Sequence, residues 1–521
     1  MPSLPSRLRD FAPSALNRVF WLFVLIHATF WTFAPPFFSP YFRLDTAEMI
    51  TIGKNWVLAT YKHPAFQSWV LESLFQVTGG VDFTPYLAAQ LAVVLTIWCI
   101  WKMAREFLSP QMALVAALAM LTYYFFSYES INYNNRTFMR AFGTLSMFLV
   151  FRAFKTNQLR YWFGTALSLS CGLYCNLATF LLILGIVSFM IVDSNTRKYW
   201  RSVGPYVTTG LTFVLFIPFL VWLFSSHFAP FTYAESSLSG LNLSHGHVTA
   251  PLRFTLGCLG LILPLSLVLI PEVGVGWKWN VQHIWGKTME ERFLFFMTAF
   301  PFLVTCMIAA ISGHRLRTAL GCQIWVFVPI FILYSAAQVR EDWTAVRRSL
   351  QIIAVFMVVS AALSVFLCHF SPLWSKHAPC HYPGRRIAAE VTQLWESRFH
   401  TPLAYLRGDE WPGMAICIYG KTQPEVFSPL WSSEEDFRKK GGVLLWQKSV
   451  QGEMLKCSNF FGNKDFRYAE SREPDPEWLA QFPTRIDLPD VQILPTSPYA
   501  KIPVTIGIAL LPPEEKNTKG P

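Results

Sequence analysis

Eleven apolar stretches, each close to the length of a membrane-crossing helix, constrain this chain more than any other feature. A spanning helix needs about 20 mostly apolar residues. Such stretches begin near Asn17, Tyr86, Gln111, Met139, Trp162, Thr179, Tyr206, Phe254, Phe293, Thr318 and Leu350. Those near Trp162 and Thr179 are short and almost continuous, which fits a tight helical hairpin through Gly172-Leu173-Tyr174-Cys175-Asn176. Composition agrees: only 14% of the 521 residues are charged, against roughly 25% in an average soluble chain. So few charges cannot cover the surface of a soluble protein this long, and with 53% hydrophobic residues the chain is not intrinsically disordered either. The first stretch is long, aromatic and without a small-x-small cleavage site, so it reads as a retained span rather than a signal peptide.

The net charge of +11 invites a nucleic-acid reading, but no basic run with a known docking geometry occurs. Surplus Lys and Arg in a membrane protein orient the helices and meet lipid headgroups. The basic clusters of the short loops are Arg7, Arg9 and Arg18; Lys102 and Arg105; Arg152, Lys155 and Arg160; Arg197, Lys198 and Arg201; Lys278 and Lys287; and Arg340, Arg347 and Arg348. With eleven spans they all fall on one side. The N-terminus is then cytoplasmic, and everything after about His369 lies across the membrane. Three groups face the other way: about 37–85, Tyr128 to Arg140, and His314-Arg315-Leu316-Arg317. Their basic residues serve either to meet an anion or as ordinary headgroup contacts.

Beyond about residue 371 the chain becomes rich in charge, Pro, Gly and Trp. Gly384 to Arg398 reads as an amphipathic helix, with Ile387, Val391 and Leu394 on one face. Ser432-Ser433-Glu434-Glu435 reads as a helix start. Leu403–Leu406, Gly442–Trp446 and Val504–Ile508 read as strands. The expected organisation is a polytopic α-helical membrane domain over 1–371, with an outer loop at about 37–85, and a C-terminal α/β domain over 372–521 on the far side.

The outer loop carries the most informative chemistry. It contains Asp45-Thr46-Ala47-Glu48 and later Lys62-His63-Pro64. If the chain is helical from Asp45 to about Leu58, the two carboxylates share a face at i and i+3. They then suit a divalent cation or a general base acting on a hydroxyl, while Lys62 and His63 suit a phosphate. On spacing alone the simpler alternative is a helix cap, with Asp45 as N-cap and Glu48 completing a capping box.

Asp45-x-Ala47-Glu48 after the first span, followed by Lys62-His63-Pro64, resembles the bacterial family-39 glycosyltransferases. These are relatives of the protein O-mannosyltransferases and of the aminoarabinose and galacturonic-acid transferases that modify lipid A. The resemblance continues, in order, through Asn132-Tyr133-Asn134-Asn135 with Arg140-Ala141-Phe142, through His314-Arg315-Leu316-Arg317, and through the tail at Tyr405–Asp409, Pro424–Trp431 and Gly441–Trp446. It implies the membrane-embedded C fold and transfer of a hexosyl or pentosyl group from a polyprenyl-phosphate sugar to a lipid, glycan or protein acceptor. The setting implied is the periplasmic face of a bacterial inner membrane, in lipopolysaccharide or cell-envelope glycan modification. By motif, Asp45 corresponds to the catalytic carboxylate with Glu48 beside it, and Lys62 and His63 to the loop facing the donor phosphate. Two features depart from the family. Pro64 is followed by Ala65 rather than a second proline, and the Asp-Glu adjacency of the eukaryotic relatives is absent. The division of roles between Asp45 and Glu48 therefore stays open.

The chemistry of such a donor completes the expectation. The leaving phosphate needs cations, with Arg315 and Arg317 as forked clamps and a divalent metal on Asp45 and Glu48 as a further option. Glu129, Asn134 and Asn135 are expected to touch sugar or metal. One base and no second nucleophile predict inversion at the anomeric carbon. The rival reading is a flippase for a lipid-linked sugar, which would place its polar residues near mid-membrane; here they gather in outer loops. The loop Phe228–Pro251, with His245-Gly246-His247, reads as a mobile cover. Most of the ten cysteines sit in apolar runs as small hydrophobes. If the tail is oxidised, Cys380 pairs with Cys457, since Cys417 lies in an apolar stretch.

Overall fold

A computed structural model of the chain describes residues 13–233, 246–274, 278–280, 286–314, 316, 318, 323–374, 379–448, 474–499 and 502–514. The described residues divide into two compact units. The first comprises Met1–Phe33, Lys62–Gln67 and Phe83–Leu363, and the second Ala34–Tyr61, Ser68–Asp82 and Ser364–Pro521. Most of the outer loop is therefore grouped with the tail rather than with the spanning helices.

The first unit is built from helices. Seven described helices are long and apolar enough to cross a membrane: Ser14–Phe38, Thr84–Ala104, Asn135–Thr156, Val203–Ser225, Thr249–Val268, Met289–Ser312 and Trp343–His369. The other four apolar stretches also coincide with helices, but shorter ones: Pro110–Ala119, Leu159–Cys175, Thr179–Val192 and Val328–Ser335. Hydropathy marks where apolar helix is, but not how long it runs. Pro110 follows the N-cap Ser109, and Asn176 takes an extended conformation that stops the Leu159–Cys175 helix. The eleven full spans expected from the sequence are thus seven long helices and four shorter ones.

Burial separates inner from peripheral helices. The apolar window of Asn135–Thr156 is 72% buried and that of Trp343–His369 only 11%. Val355, Val358 and Leu363 are exposed apolar side chains, as a lipid-facing surface requires. Polar groups on the buried faces are paired within the protein: Thr144, Thr165 and Ser170 each donate to the carbonyl four residues back. At one end of the helices, Glu106 binds Arg152 and Lys155, both at 2.7 Å. Asp193, almost fully buried, binds Arg292 at 2.5 Å.

The second unit holds a six-stranded mixed sheet, ordered β2-β1-β3-β6-β4 with β5 also pairing β6. The strands are β1 (Tyr405–Gly408), β2 (Glu425–Val426), β3 (Gly442–Gln447), β4 (Ile486–Asp487), β5 (Val491–Ile493) and β6 (Val504–Leu511). β1 runs parallel to β2 and β3, and β6 runs antiparallel to β3, β4 and β5. The helix Glu410–Tyr419 returns the chain from β1 to β2, as parallel pairing demands. Tyr405, Phe427, Phe437, Leu444, Trp446, Trp478 and Phe482 form an aromatic core beside the sheet. Arg407 is buried there over the Phe427 ring at 4.3 Å and bonds Glu434 at 2.6 Å. The amphipathic helix runs Gly384–Phe399, and Ser433 caps Glu434–Lys440 through its hydroxyl, both where the sequence places them.

Glu272 lies just beyond the Thr249–Val268 span, 1% exposed, and accepts a 2.7 Å bond from Ser349. Burial pushes its carboxyl up to about 7, with the Ser349 hydrogen bond opposing. The folded state then holds a proton that the unfolded state gives up, so stability falls as pH rises from about 4.5 to about 7. Glu272→Gln is expected to flatten that slope and to gain at most about 2–3 kcal/mol at pH 8. Thermal midpoints of the detergent-solubilised protein between pH 5 and 8 check this; equal slopes for both proteins would refute it.

Candidate functional site

The helix bearing the paired carboxylates runs Leu44–Lys54, ending four residues earlier than the spacing suggested. Its N-cap is Arg43, extended and making no side-chain cap bond. Asp45 is therefore the second residue inside the helix, where the helix dipole favours a carboxylate, and it is not a cap. The capping-box alternative fails because the helix begins one residue before Asp45. Asp45 is half-buried and Glu48 is 3% exposed. They share one helical face at i and i+3.

The surroundings of this helix fix it firmly within the second unit. Gly53 sits against the Phe66–Thr78 helix so closely that a Cβ would lie 2.6 Å from the Ser68 carbonyl oxygen. Ser68 Oγ donates to Met49 Sδ at 3.4 Å. Trp69 Nε1 donates to Val57 O at 2.8 Å, beyond the turn at Trp56, whose φ is +47°. Lys54 Nζ donates to Cys417 O at 2.6 Å. At the far end, Tyr41 N donates to Cys380 O at 3.0 Å.

A cavity of about 630 Å³ opens beside the last turn of the same helix, about 14 Å from Asp45 by the helical rise. Its walls include Lys54, Glu72, Asp82, Arg385, Tyr419 and Gln423. Arg385 forms an ion pair with Asp82 and lies 4.2 Å from the centre of the Tyr419 ring. Burial, helped by Asp82 and opposed by Arg385, pushes the Tyr419 hydroxyl well above the ordinary phenol range. It remains a neutral hydrogen-bonding group.

The other expected contacts lie in the first unit. His63 is buried, with Nδ1 2.9 Å from Pro64 O and 3.3 Å from Gln67 Nε2. Lys62 Nζ is 6.0 Å from the centre of the Tyr233 ring. Tyr133 Oη donates to Gln67 O at 2.6 Å, which ties the His63 turn to the second outer loop. In that loop Glu129 accepts from Tyr124 Oη at 3.1 Å and from Asn132 Nδ2 at 3.0 Å. Asn134 caps the Asn135–Thr156 helix in a capping box with Thr137, so its side chain has a structural task the sequence reading had not assigned. Asn135 is the first residue of that helix. Arg140, named in the sequence only as one of the basic residues on this loop, is 4% exposed. Its guanidinium lies over the Phe125 and Phe126 rings at 5.3 and 5.9 Å, and no carboxylate is paired with it among the described residues. The pattern Arg140-Ala141-Phe142, nearly two helical turns past the capping Asn134, was the available signal.

Several expectations fall outside the described residues: Arg315 and Arg317, His245, the middle of the Phe228–Pro251 loop (234–245), and Cys457. Cys457, the expected partner of Cys380, lies outside the described residues. Cys380 Sγ lies 3.6 Å from Cys368 O, and both cysteines are free thiols. For a metal, Asp45 and Glu48 supply two carboxylates, and no group of three or more His, Cys, Asp or Glu that could hold a metal ion occurs among the described residues; the remaining positions on a divalent cation would fall to water and the donor phosphate.

Gly53→Ala is expected to push the Leu44–Lys54 helix off its neighbour. Overpacking of this kind costs about 1–3 kcal/mol. A lowered thermal midpoint measures it, and an unchanged midpoint would show that the approach is not tight.

Residues 62–222 match the dolichyl-phosphate-mannose-protein mannosyltransferase family. No curated protein matches the chain in sequence. Among solved structures, the crystal structure of ArnT from Cupriavidus metallidurans bound to undecaprenyl phosphate is similar, with a TM-score of 0.60 and 13% identity over 98% of this chain and 100% of that one. The apo form of the same protein aligns with a TM-score of 0.58 and 13% identity over 96% and 98%. The resemblance read from the motifs is borne out by the fold, which is the membrane-embedded C fold seen in ArnT, and by the match of residues 62–222 to the mannosyltransferase family model.

Proposed function

We propose that this protein is an integral-membrane glycosyltransferase that moves one sugar from a polyprenyl-phosphate donor to a lipid, glycan or protein acceptor at the extracytoplasmic face of a bacterial inner membrane. The observation that carries the reading is Asp45: a half-buried carboxylate inside a helix start, released from capping, with the buried Glu48 on the same face. The mannosyltransferase-family match beginning at Lys62 supports the donor class, as does the likeness to an ArnT that binds undecaprenyl phosphate.

In this reading the Asp45 carboxylate takes the proton of the acceptor hydroxyl. The acceptor oxygen attacks the anomeric carbon from the face opposite the phosphate, and polyprenyl phosphate departs with inversion. The departing phosphate needs cations, the role the motifs assign to Lys62, His63, Arg315 and Arg317. Glu48 supports Asp45 or exchanges roles with it. Glu129 and Asn135 bear on the sugar, and Asn134 holds their loop. The cavity lined by Asp82, Arg385 and Tyr419 has the size of a small-molecule site and suits a polar acceptor. The N-terminus is cytoplasmic, on the argument of the basic loops. A flippase finds no comparable support, because it would not need paired carboxylates on one helical face outside the spans.

Purified protein with a panel of radiolabelled polyprenyl-phosphate sugars and envelope acceptors tests the reading. Wild type should release polyprenyl phosphate and transfer label. Loss of the base should lower turnover by about 10²–10⁴-fold. Comparing Asp45→Asn with Glu48→Gln assigns the base to whichever variant loses turnover with its donor KM unchanged. Undiminished transfer by both carboxylate variants would end the proposal.

A further inference from the structure

Cys368 ends the last long helix and Cys380 opens the tail, and the fold brings the two together. Cys380 Sγ donates to Cys368 O at 3.6 Å. The pocket around them is polar and closed. Ser371 Oγ donates to Cys368 O at 2.7 Å and lies 3.3 Å from Cys380 Sγ. His381 Nε2 is 2.9 Å from Cys368 O. Both cysteines are buried.

This cluster sits directly under the start of the Asp45 helix, in the same unit. Cys380 O accepts the Tyr41 amide at 3.0 Å. Arg43, the N-cap residue of that helix, lies near Cys368. With the Cys380 sulfur 3.6 Å from the Cys368 carbonyl oxygen, and Ser371 Oγ touching both residues, the two cysteines stand close enough to join with little backbone movement. We propose that Cys368 and Cys380 are joined by a disulfide in the mature protein, and that this bond braces the extended segment from which the Asp45-bearing helix starts. The proposal rests on the extracytoplasmic placement given above, because disulfides persist in oxidising compartments.

The electron balance is that of thiol–disulfide exchange with a protein or small-molecule disulfide as oxidant. The Cys380 thiolate attacks one oxidant sulfur, and one oxidant thiol leaves. Cys368 sulfur then attacks Cys380 sulfur in the mixed disulfide, and its proton goes with the second oxidant thiol. Two protein thiols and one oxidant disulfide become one protein disulfide and two oxidant thiols. The local chemistry favours Cys380 as the attacking group. The hydrogen bond from Cys368, with further help from His381 and Ser371, holds its thiol well below the ordinary range. Burial lowers His381, but its hydrogen bond and charge pairing with Cys380 outweigh that and hold it above the usual histidine value. Because both sulfurs are covered, the exchange accompanies folding, and the finished bond is shielded from reductants.

The test uses wild-type protein in membranes, acid-quenched and alkylated under denaturing, non-reducing conditions, then digested and mapped by mass spectrometry. The expected result is one linked species containing Cys368 and Cys380, resolved by reduction. Alkylation of both thiols would overturn the bond. A parallel Lys421→Cys reporter, read with a membrane-impermeant maleimide on intact cells, separates this from the placement of the tail. Labelling together with two free thiols removes the disulfide alone. No labelling removes the extracytoplasmic reading, and free thiols in that case remove both. For the bracing role, Cys368→Ser, Cys380→Ser and the double variant should show one common, several-fold drop in transfer, since each breaks the same bond. Wild-type transfer by any of them, or losses that add, would overturn it. Should a variant fail to fold, wild type reduced under partial denaturation and alkylated before refolding provides the same comparison.

Discussion

Hydrocarbon offers no hydrogen-bond partner to a backbone amide or a charge, and that one constraint arranges the rest of this protein. It forces the apolar stretches into helices whose amides are satisfied internally, and it drives the ionisable groups to helix ends and connecting segments. Glu106 with Arg152 and Lys155, and Asp193 with Arg292, are paired at such ends. Asp45 and Glu48 stand on a short helix outside the long spans. A reaction between a lipid-borne phosphate and a polar acceptor can only be catalysed where charged groups are tolerated, and here that is the outer segment.

The outer segment gains its order from the tail. Within the second unit the Leu44–Lys54 helix is held from three sides: by the close approach at Gly53, by Lys54 on the Cys417 carbonyl, and by the Tyr41 amide on Cys380. A soluble-type α/β unit with an aromatic core is rigid in a way that a membrane loop alone is not. The tail therefore does more than cover the site. It supplies the frame in which a carboxylate can be held without being used as a cap.

Much of this was legible in the sequence. All eleven apolar stretches coincide with helices, because hydropathy and helical hydrogen bonding are both local. The amphipathic helix Gly384–Phe399 and the strands at Gly442–Gln447 and Val504–Leu511 were readable for the same reason. The two-residue strands β2 and β4 were not, since so short a strand has no period of its own and exists only by pairing with β1 or β6. The short pair that meets at Asn176 was legible, but the shortness of Pro110–Ala119 and Val328–Ser335 escaped, because apolar neighbours mask such ends in any averaged hydropathy.

At the site the division is similar. The sequence by itself determined that the chain lives in a membrane, that its carboxylates and basic groups cluster outside the long spans, and which family it resembles. Those follow from residue type and order alone. Only the tertiary structure decided that Asp45 is not a cap, because the start of a helix depends on where Arg43 turns extended. It also decided that Asn134 is a cap, that Arg140 is buried on aromatic rings, and that Cys380 meets Cys368. Each of these is a contact or a boundary set by how distant segments pack, and spacing along the chain carries no record of it.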